Sequence, residues 1–188
     1  IRADGGMTVW EGAIRSGKTV ASLLAWLMYI QNSNEEYFLM SGKTLGSLGK
    51  NVIKGDFGLL ELARPYAEES RDRYGNSIII IGNKIIYLVG APDDSAYMSL
   101  KGLTIAGWYA DEVATHPESF INEALARTAV SPDRRIFWTL NPTFPSHYIY
   151  RNFLDRWEGM QGYRRYHFTL VDNLAMTQER REQLAAQY

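Results

Sequence analysis

Cysteine is missing from all 188 residues. Disulfide frameworks, thiolate zinc sites and thiol nucleophiles are therefore excluded together. Long apolar runs are missing too. The most apolar stretch, Ala21 to Ile30, is half the roughly 20 residues that a membrane span requires. No basic-then-apolar leader opens the chain, so no membrane partner is expected. An excess of one charge is also lacking, with 20 Lys and Arg against 21 Asp and Glu and a net charge of -1. A uniformly basic nucleic-acid coat is ruled out, while a local basic face is not. Neither an internal repeat nor a Pro- or Ser-rich linker marks a boundary, so 1–188 reads as a single domain. The three histidines, His116, His147 and His167, lack metal-ligand spacing and read as surface or packing residues.

What is present is ordinary for a globular chain: 46% hydrophobic and 22% charged residues. Five Trp, twelve Tyr and seven Phe are available to fill a core, and folding at this length buries roughly 70% of the unfolded surface. The chain opens on Ile1 rather than Met and enters a strand-like run almost at once, as an excerpt of a longer protein would.

Short apolar runs alternate with longer amphipathic ones. Strands are predicted at Thr8–Trp10, Tyr37–Ser41, Leu103–Ala110, Ile136–Leu140 and Arg164–Thr169. A hairpin is predicted from Ile78–Ile81 and Lys84–Val89 around Gly82-Asn83. Helices are predicted over Thr19–Gln31, Leu45 to about Leu62, Pro117–Arg127 with Pro117 as first residue, His147–Trp157, and Thr177–Tyr188 capped by Thr177. This alternation favours an α/β fold, a mostly parallel sheet with helices on both faces.

Gly12-Ala13-Ile14-Arg15-Ser16-Gly17-Lys18-Thr19 matches G-x-x-x-x-G-K-[ST] at every fixed position. Its glycines let the backbone curl so that N–H groups point inward at phosphate oxygens. Lys18 would reach the β- and γ-phosphates and the Thr19 hydroxyl would ligate Mg²⁺. The helix opening at Val20 adds its N-terminal dipole. The nucleotide site is thus assigned to Gly12 through Val20. A guanidinium at Arg15 pairs with the γ-phosphate or an acidic neighbour, or is a solvated loop charge.

The run Ile105–Ala110 ends in Asp111-Glu112. A strand delivering Asp beside a phosphate loop can hold Mg²⁺, and Glu112 can orient and deprotonate an attacking water. Arg135–Leu140 ends in Asn141-Pro142. Pro142 keeps Asn141 out of helix, leaving its amide to read the γ-phosphate or to form an Asx turn. Lys101, just before the acidic strand, could complete a neighbour's site as a finger, or be an exposed turn lysine.

Together these segments resemble the ATPase domain of the tailed-phage terminase large subunit. The carrying residues are the Arg-containing loop, Ser99–Thr104, Asp111-Glu112 and Thr139-Leu140-Asn141-Pro142. His147–Arg151, His167-Phe168-Thr169 and Asp172-Asn173 carry it further. The resemblance implies an ASCE-type P-loop NTPase, a three-layer sandwich, hydrolysing ATP with Mg²⁺ to drive double-stranded DNA into a procapsid. It implies Lys18 and Thr19 at the nucleotide and metal, Asp111 on Mg²⁺ and Glu112 as catalytic base. Thr139 and Asn141 match the coupling motif. Lys101 stands where several terminases carry a trans-acting arginine. Implied partners are the portal protein, the small terminase subunit and sibling copies in a ring. The implied place is the host cytoplasm, docked on a procapsid. The family's upstream adenine-binding segment and downstream nuclease domain have no counterpart in these residues.

Between Arg134 and Phe168, six arginines stand against Asp155 and Glu158, interleaved with Tyr148, Tyr150, Trp157 and Tyr163. Such a stretch suits a DNA backbone, a subunit interface or a solvated surface alike. Two other functional readings share the loop and acidic pair: a helicase- or RecA-like motor, and a nucleotide-gated assembly module that barely turns ATP over.

Overall fold

The structure, a computed structural model, describes residues 6–173 together with Thr177, Glu179 and Gln183. Its strands are β1 (Met7–Gly12), β2 (Tyr37–Gly42), β3 (Ala67–Arg71), β4 (Ser77–Ile81), β5 (Lys84–Gly90), β6 (Gly107–Ala110), β7 (Arg135–Leu140) and β8 (Tyr163–Phe168). They form one sheet in the order β3-β4-β5-β2-β6-β7-β1-β8. From β5 to β8 across that order all neighbours are parallel, while β3 and β4 add an antiparallel edge.

Every residue of β6 and β7 is buried, which explains why they read as unbroken apolar runs. Alternate side chains serve two cores. On one face Trp10, Phe38, Tyr109 and Phe137 meet Leu23, Trp26, Leu27 and Ile30 of helix α1 (Lys18–Asn32). The i, i+3, i+4, i+7 spacing of those four makes α1 amphipathic. On the other face Val9, Leu39, Trp108 and Trp138 meet Phe120, Ile121 and Ala124 of helix α2 (Glu118–Thr128) and the turns carrying Ile149 and Phe153. The α/β expectation of helices on both faces holds.

The structure departs from the sequence reading in several local places. The helical stretch predicted from Leu45 to Leu62 is broken into an α turn at Leu45–Leu48, a π turn at Gly49–Ile53 and a second α turn at Leu59–Leu62. Phe57 takes φ 59°, and a Cβ at Gly58 would sit 2.7 Å from the carbonyl oxygens of Ile53 and Gly55. The tight turn there excludes a continuous helix. Strand β3 was not predicted, because its polar sequence, Ala-Glu-Glu-Ser-Arg, lies on an exposed edge and carries no alternation. His147–Trp157 is a π turn over Ile149–Leu154 followed by a short α turn.

Pro117 is the N-cap of α2 rather than its first residue. Gly82 opens the predicted hairpin turn at φ 60°, a conformation natural to glycine. The predicted helix Thr177–Tyr188 lies largely outside the described residues. Among the described residues no helix is long and apolar enough to cross a membrane.

Candidate active site

Strands β6, β7 and β1 are consecutive neighbours and parallel, so their C-terminal ends share one edge of the sheet. That edge carries Asp111-Glu112, Asn141 and the phosphate loop. Topology therefore brings together residues more than a hundred positions apart.

The loop leaves β1 at Gly12, where β8 lies so close that a Cβ would stand 2.3 Å from the Phe168 carbonyl oxygen. Ala13 N–H donates to that same carbonyl at 3.3 Å. Arg15 and Gly17 take φ 67° and 86°, the curl the motif requires. Ser16 Oγ is buried with no hydrogen-bond partner among the described residues. A buried hydroxyl left unpaired is costly unless a ligand satisfies it, and an anion in the loop would do so. The first turn of α1 turns its own unpaired N–H groups toward the same place.

Lys18 is 7% exposed. Its ammonium donates to Asn141 Oδ1 at 2.6 Å and to the Ala13 carbonyl at 3.3 Å. Asn141 N–H donates to Glu112 Oε1 at 2.8 Å. Thr139, one residue before the end of β7, donates its hydroxyl to Asp111 Oδ1 at 3.0 Å and accepts Glu112 N–H at 3.1 Å. Glu112 itself takes φ 52° and ψ 56°, a left-handed conformation that costs a non-glycine residue about 1–2 kcal/mol. The Thr139 and Asn141 bonds hold it there.

Burial dominates the electrostatics. It lowers the Lys18 pKa, and the Glu112 and Asp111 charges pull it partly back. It raises the Asp111 carboxyl, against the Thr139 hydrogen bond and the Lys18 charge. It raises Glu112 too, against the Asn141 N–H and Lys18. A carboxyl pushed upward in this way is a stronger base once ionised. A metal at the pair assigned from sequence would take one carboxylate, Asp111, and one hydroxyl, Thr19. Hard oxygens of this kind suit Mg²⁺.

The structure thus joins Lys18, Asp111, Glu112, Thr139 and Asn141. Two other candidates stand apart from this net. Arg15 is exposed, and its carbonyl accepts from Asn173 Nδ2 at 2.7 Å. Lys101 is exposed, its ammonium 5.0 Å from the Tyr97 ring centroid. The basic stretch is not one face either. Arg134 Nε donates to Thr128 Oγ1 at 2.9 Å, Arg135 is buried and Arg165 pairs with Glu11. Arg151, Arg156 and Arg164 remain exposed.

Behind Glu112 lies a buried polar relay that sequence reading missed. Trp108 Nε1 donates to Ser41 Oγ at 2.8 Å, and that hydroxyl meets His116 Nε2 at 2.9 Å. Burial pushes His116 from 6.5 down to about 3. The folded pKa lies below the unfolded one, so the unfolded chain binds more protons between them. Stability should be intact above pH 6.5 and fall toward pH 3, by up to about 1.4 kcal/mol per unit. His116→Gln should flatten that slope, read as thermal midpoints at pH 6.5 and about 5. An unchanged slope would mean that another group titrates.

A family model described as terminase large subunit, T4likevirus-type, N-terminal, matches residues 9–188. No curated protein sequence matches. Among solved structures, the large terminase of a thermophilic bacteriophage superposes at TM-score 0.82 with 32% identity, covering 99% of this chain and 46% of that one. The same terminase in complex with ATP-γ-S superposes at 0.78 with 31% identity, covering 99% of this chain and 45% of that one. The large terminase ATPase domain of Thermus phage P74-26 shares the fold at TM-score 0.66 and 17% identity, over 99% of this chain and 83% of that one. This chain spans just under half the length of the thermophilic phage's terminase.

Proposed function

Because the chain belongs to the terminase large-subunit family, as its T4likevirus-type N-terminal part, we propose that it hydrolyses ATP with Mg²⁺ to drive double-stranded DNA into a procapsid. The fold is the P-loop NTPase fold of terminase ATPase domains. The observation that carries the reading is the hydrogen-bonded net running from Lys18 through Asn141 to Glu112. The ADP and ATP-γ-S complexes of the thermophilic phage's terminase support a nucleotide ligand.

In this reading the N–H groups of Gly12 to Val20 cradle the phosphates, and Lys18 leaves Asn141 to meet the β- and γ-oxygens. Thr19 and Asp111 would hold Mg²⁺, which when bound neutralises phosphate charge. Glu112 accepts the proton of the attacking water as its oxygen bonds to the γ-phosphorus and the bond to the β-phosphate oxygen breaks, yielding ADP and phosphate. Asn141 exchanges partners as nucleotide comes and goes, which suits coupling. Arg15 turns onto the γ-phosphate, and Lys101 serves a neighbouring copy in a ring. Lys101 lacks the planar fork of an arginine, so its contribution is that of a point charge. The portal protein and small terminase subunit are the remaining partners, on a procapsid in the host cytoplasm.

ATP turnover by this chain tests the reading. It should require Mg²⁺, vanish on chelation, rise with linear double-stranded DNA and increase per chain with protein concentration. A chain that binds no nucleotide overturns it. Stimulation by single strands alone would favour a helicase-like motor instead.

A further inference from the structure

Glu11, the last residue of β1 but one, stands directly before the phosphate loop and is 3% exposed. A buried carboxylate survives only when paired and hydrogen-bonded. Arg165 of β8 donates from Nε and Nη2 to its Oε2 at 2.8 and 2.6 Å. His167 Nδ1 lies 3.3 Å from the same oxygen. On the other side the Tyr150 hydroxyl donates to Glu11 Oε1 at 2.6 Å. That hydroxyl has a second bond, accepting Thr143 N–H at 3.2 Å.

Thr143 stands two residues after Asn141, with Pro142 between them holding φ rigid. Fixing Thr143 therefore fixes Asn141, whose two bonds reach Lys18 and Glu112. Lys18 returns to the loop through Ala13, two residues beyond Glu11. The contacts close into a ring: Glu11, Tyr150, Thr143, Asn141, Lys18, Ala13. A buried ion pair adds little net stability over apolar packing, so this ring is better explained by alignment than by stability.

We propose that Tyr150 is a positioning residue, whose hydroxyl locks the Asn141 segment to the root of the phosphate loop through Glu11 and Thr143. The role presupposes the ATPase reading above. Burial and the Glu11 carboxylate both raise the phenol's pKa, keeping the hydroxyl a donor. The Arg165 guanidinium lies 5.4 Å from the Tyr150 ring centroid and keeps the ring in place when the hydroxyl is removed. Tyr150→Phe thus deletes the two bonds and spares the Glu11–Arg165 pair.

The test compares wild type, Tyr150→Phe, Asn141→Ala and the double variant. Tyr150→Phe should lower kcat about tenfold or more while KM for ATP stays within about twofold, because alignment rather than binding is lost. The double variant should turn over no more slowly than Asn141→Ala alone, since both changes break one ring. ATP-γ-S should slow amide exchange over 12–19 and 141–150 in wild type. In Tyr150→Phe the slowing should persist over 12–19 and disappear over 141–150. Unchanged kcat, effects that multiply, or a retained response over 141–150 would overturn the inference while leaving the ATPase reading standing. A wild type without ATP-γ-S binding would overturn both.

Discussion

Replacing Glu112 by glutamine should lower ATP turnover by about 10²- to 10⁴-fold while leaving ATP-γ-S affinity within a few-fold of wild type. Glutamine has the same shape, and its amide oxygen can still accept the Asn141 N–H that now bonds Glu112 Oε1 at 2.8 Å. What it lacks is a basic oxygen. The loss should therefore fall on kcat, the pattern of an interaction made only in the transition state. Burial raises the Glu112 pKa above the ordinary carboxylate value, and only the ionised form is a base. Wild-type kcat should rise with pH through that elevated pKa and then level off, and the residual rate of the glutamine variant should lack this limb. A glutamine variant within tenfold of wild type would remove Glu112 from the chemistry.

Lys18→Ala should weaken ATP-γ-S binding by about 30-fold or more, since truncating one member of a buried charged contact costs about 2–5 kcal/mol. Titration of the two proteins side by side measures it. The same change acts on the empty protein. The Lys18 charge holds down both the Asp111 and Glu112 pKa values, so its loss lets both climb further. Groups whose folded pKa exceeds the unfolded value stabilise the fold below the unfolded pKa, and that contribution is lost as pH rises through the folded one. The thermal deficit of Lys18→Ala relative to wild type should therefore grow as pH rises above the ordinary carboxylate range. A deficit independent of pH would mean that Lys18 does not offset the two carboxylates.

The phosphate loop was legible because its requirements are local. A curl with positive φ at Gly17 needs glycine, and a lysine and hydroxyl at fixed offsets leave little ambiguity. The parallel strands were legible because burial on both faces writes itself as an apolar run, as in Arg135–Leu140. Strand β3 was illegible for the opposite reason: an exposed edge strand is held by the backbone bonds of its neighbour, and backbone bonds leave no mark in side-chain pattern. The break at Phe57-Gly58 was hidden because the surrounding residues keep helical spacing.

Sequence alone determined the class of fold, the phosphate loop, the acidic pair, the Asn-Pro strand end and the family they resemble, since each depends on neighbours within a few residues. Tertiary structure decided which of them meet. Parallel packing of β6, β7 and β1 set Asn141 between Lys18 and Glu112. The same packing made Thr139 a bridge between the backbone of Glu112 and the carboxylate of Asp111. It also turned Glu11, which carries no motif, and Arg165, which counts toward a basic stretch in sequence, into a buried pair behind the loop. Partners separated by 27 to 154 residues carry no periodic signal, so only the folded sheet could reveal them.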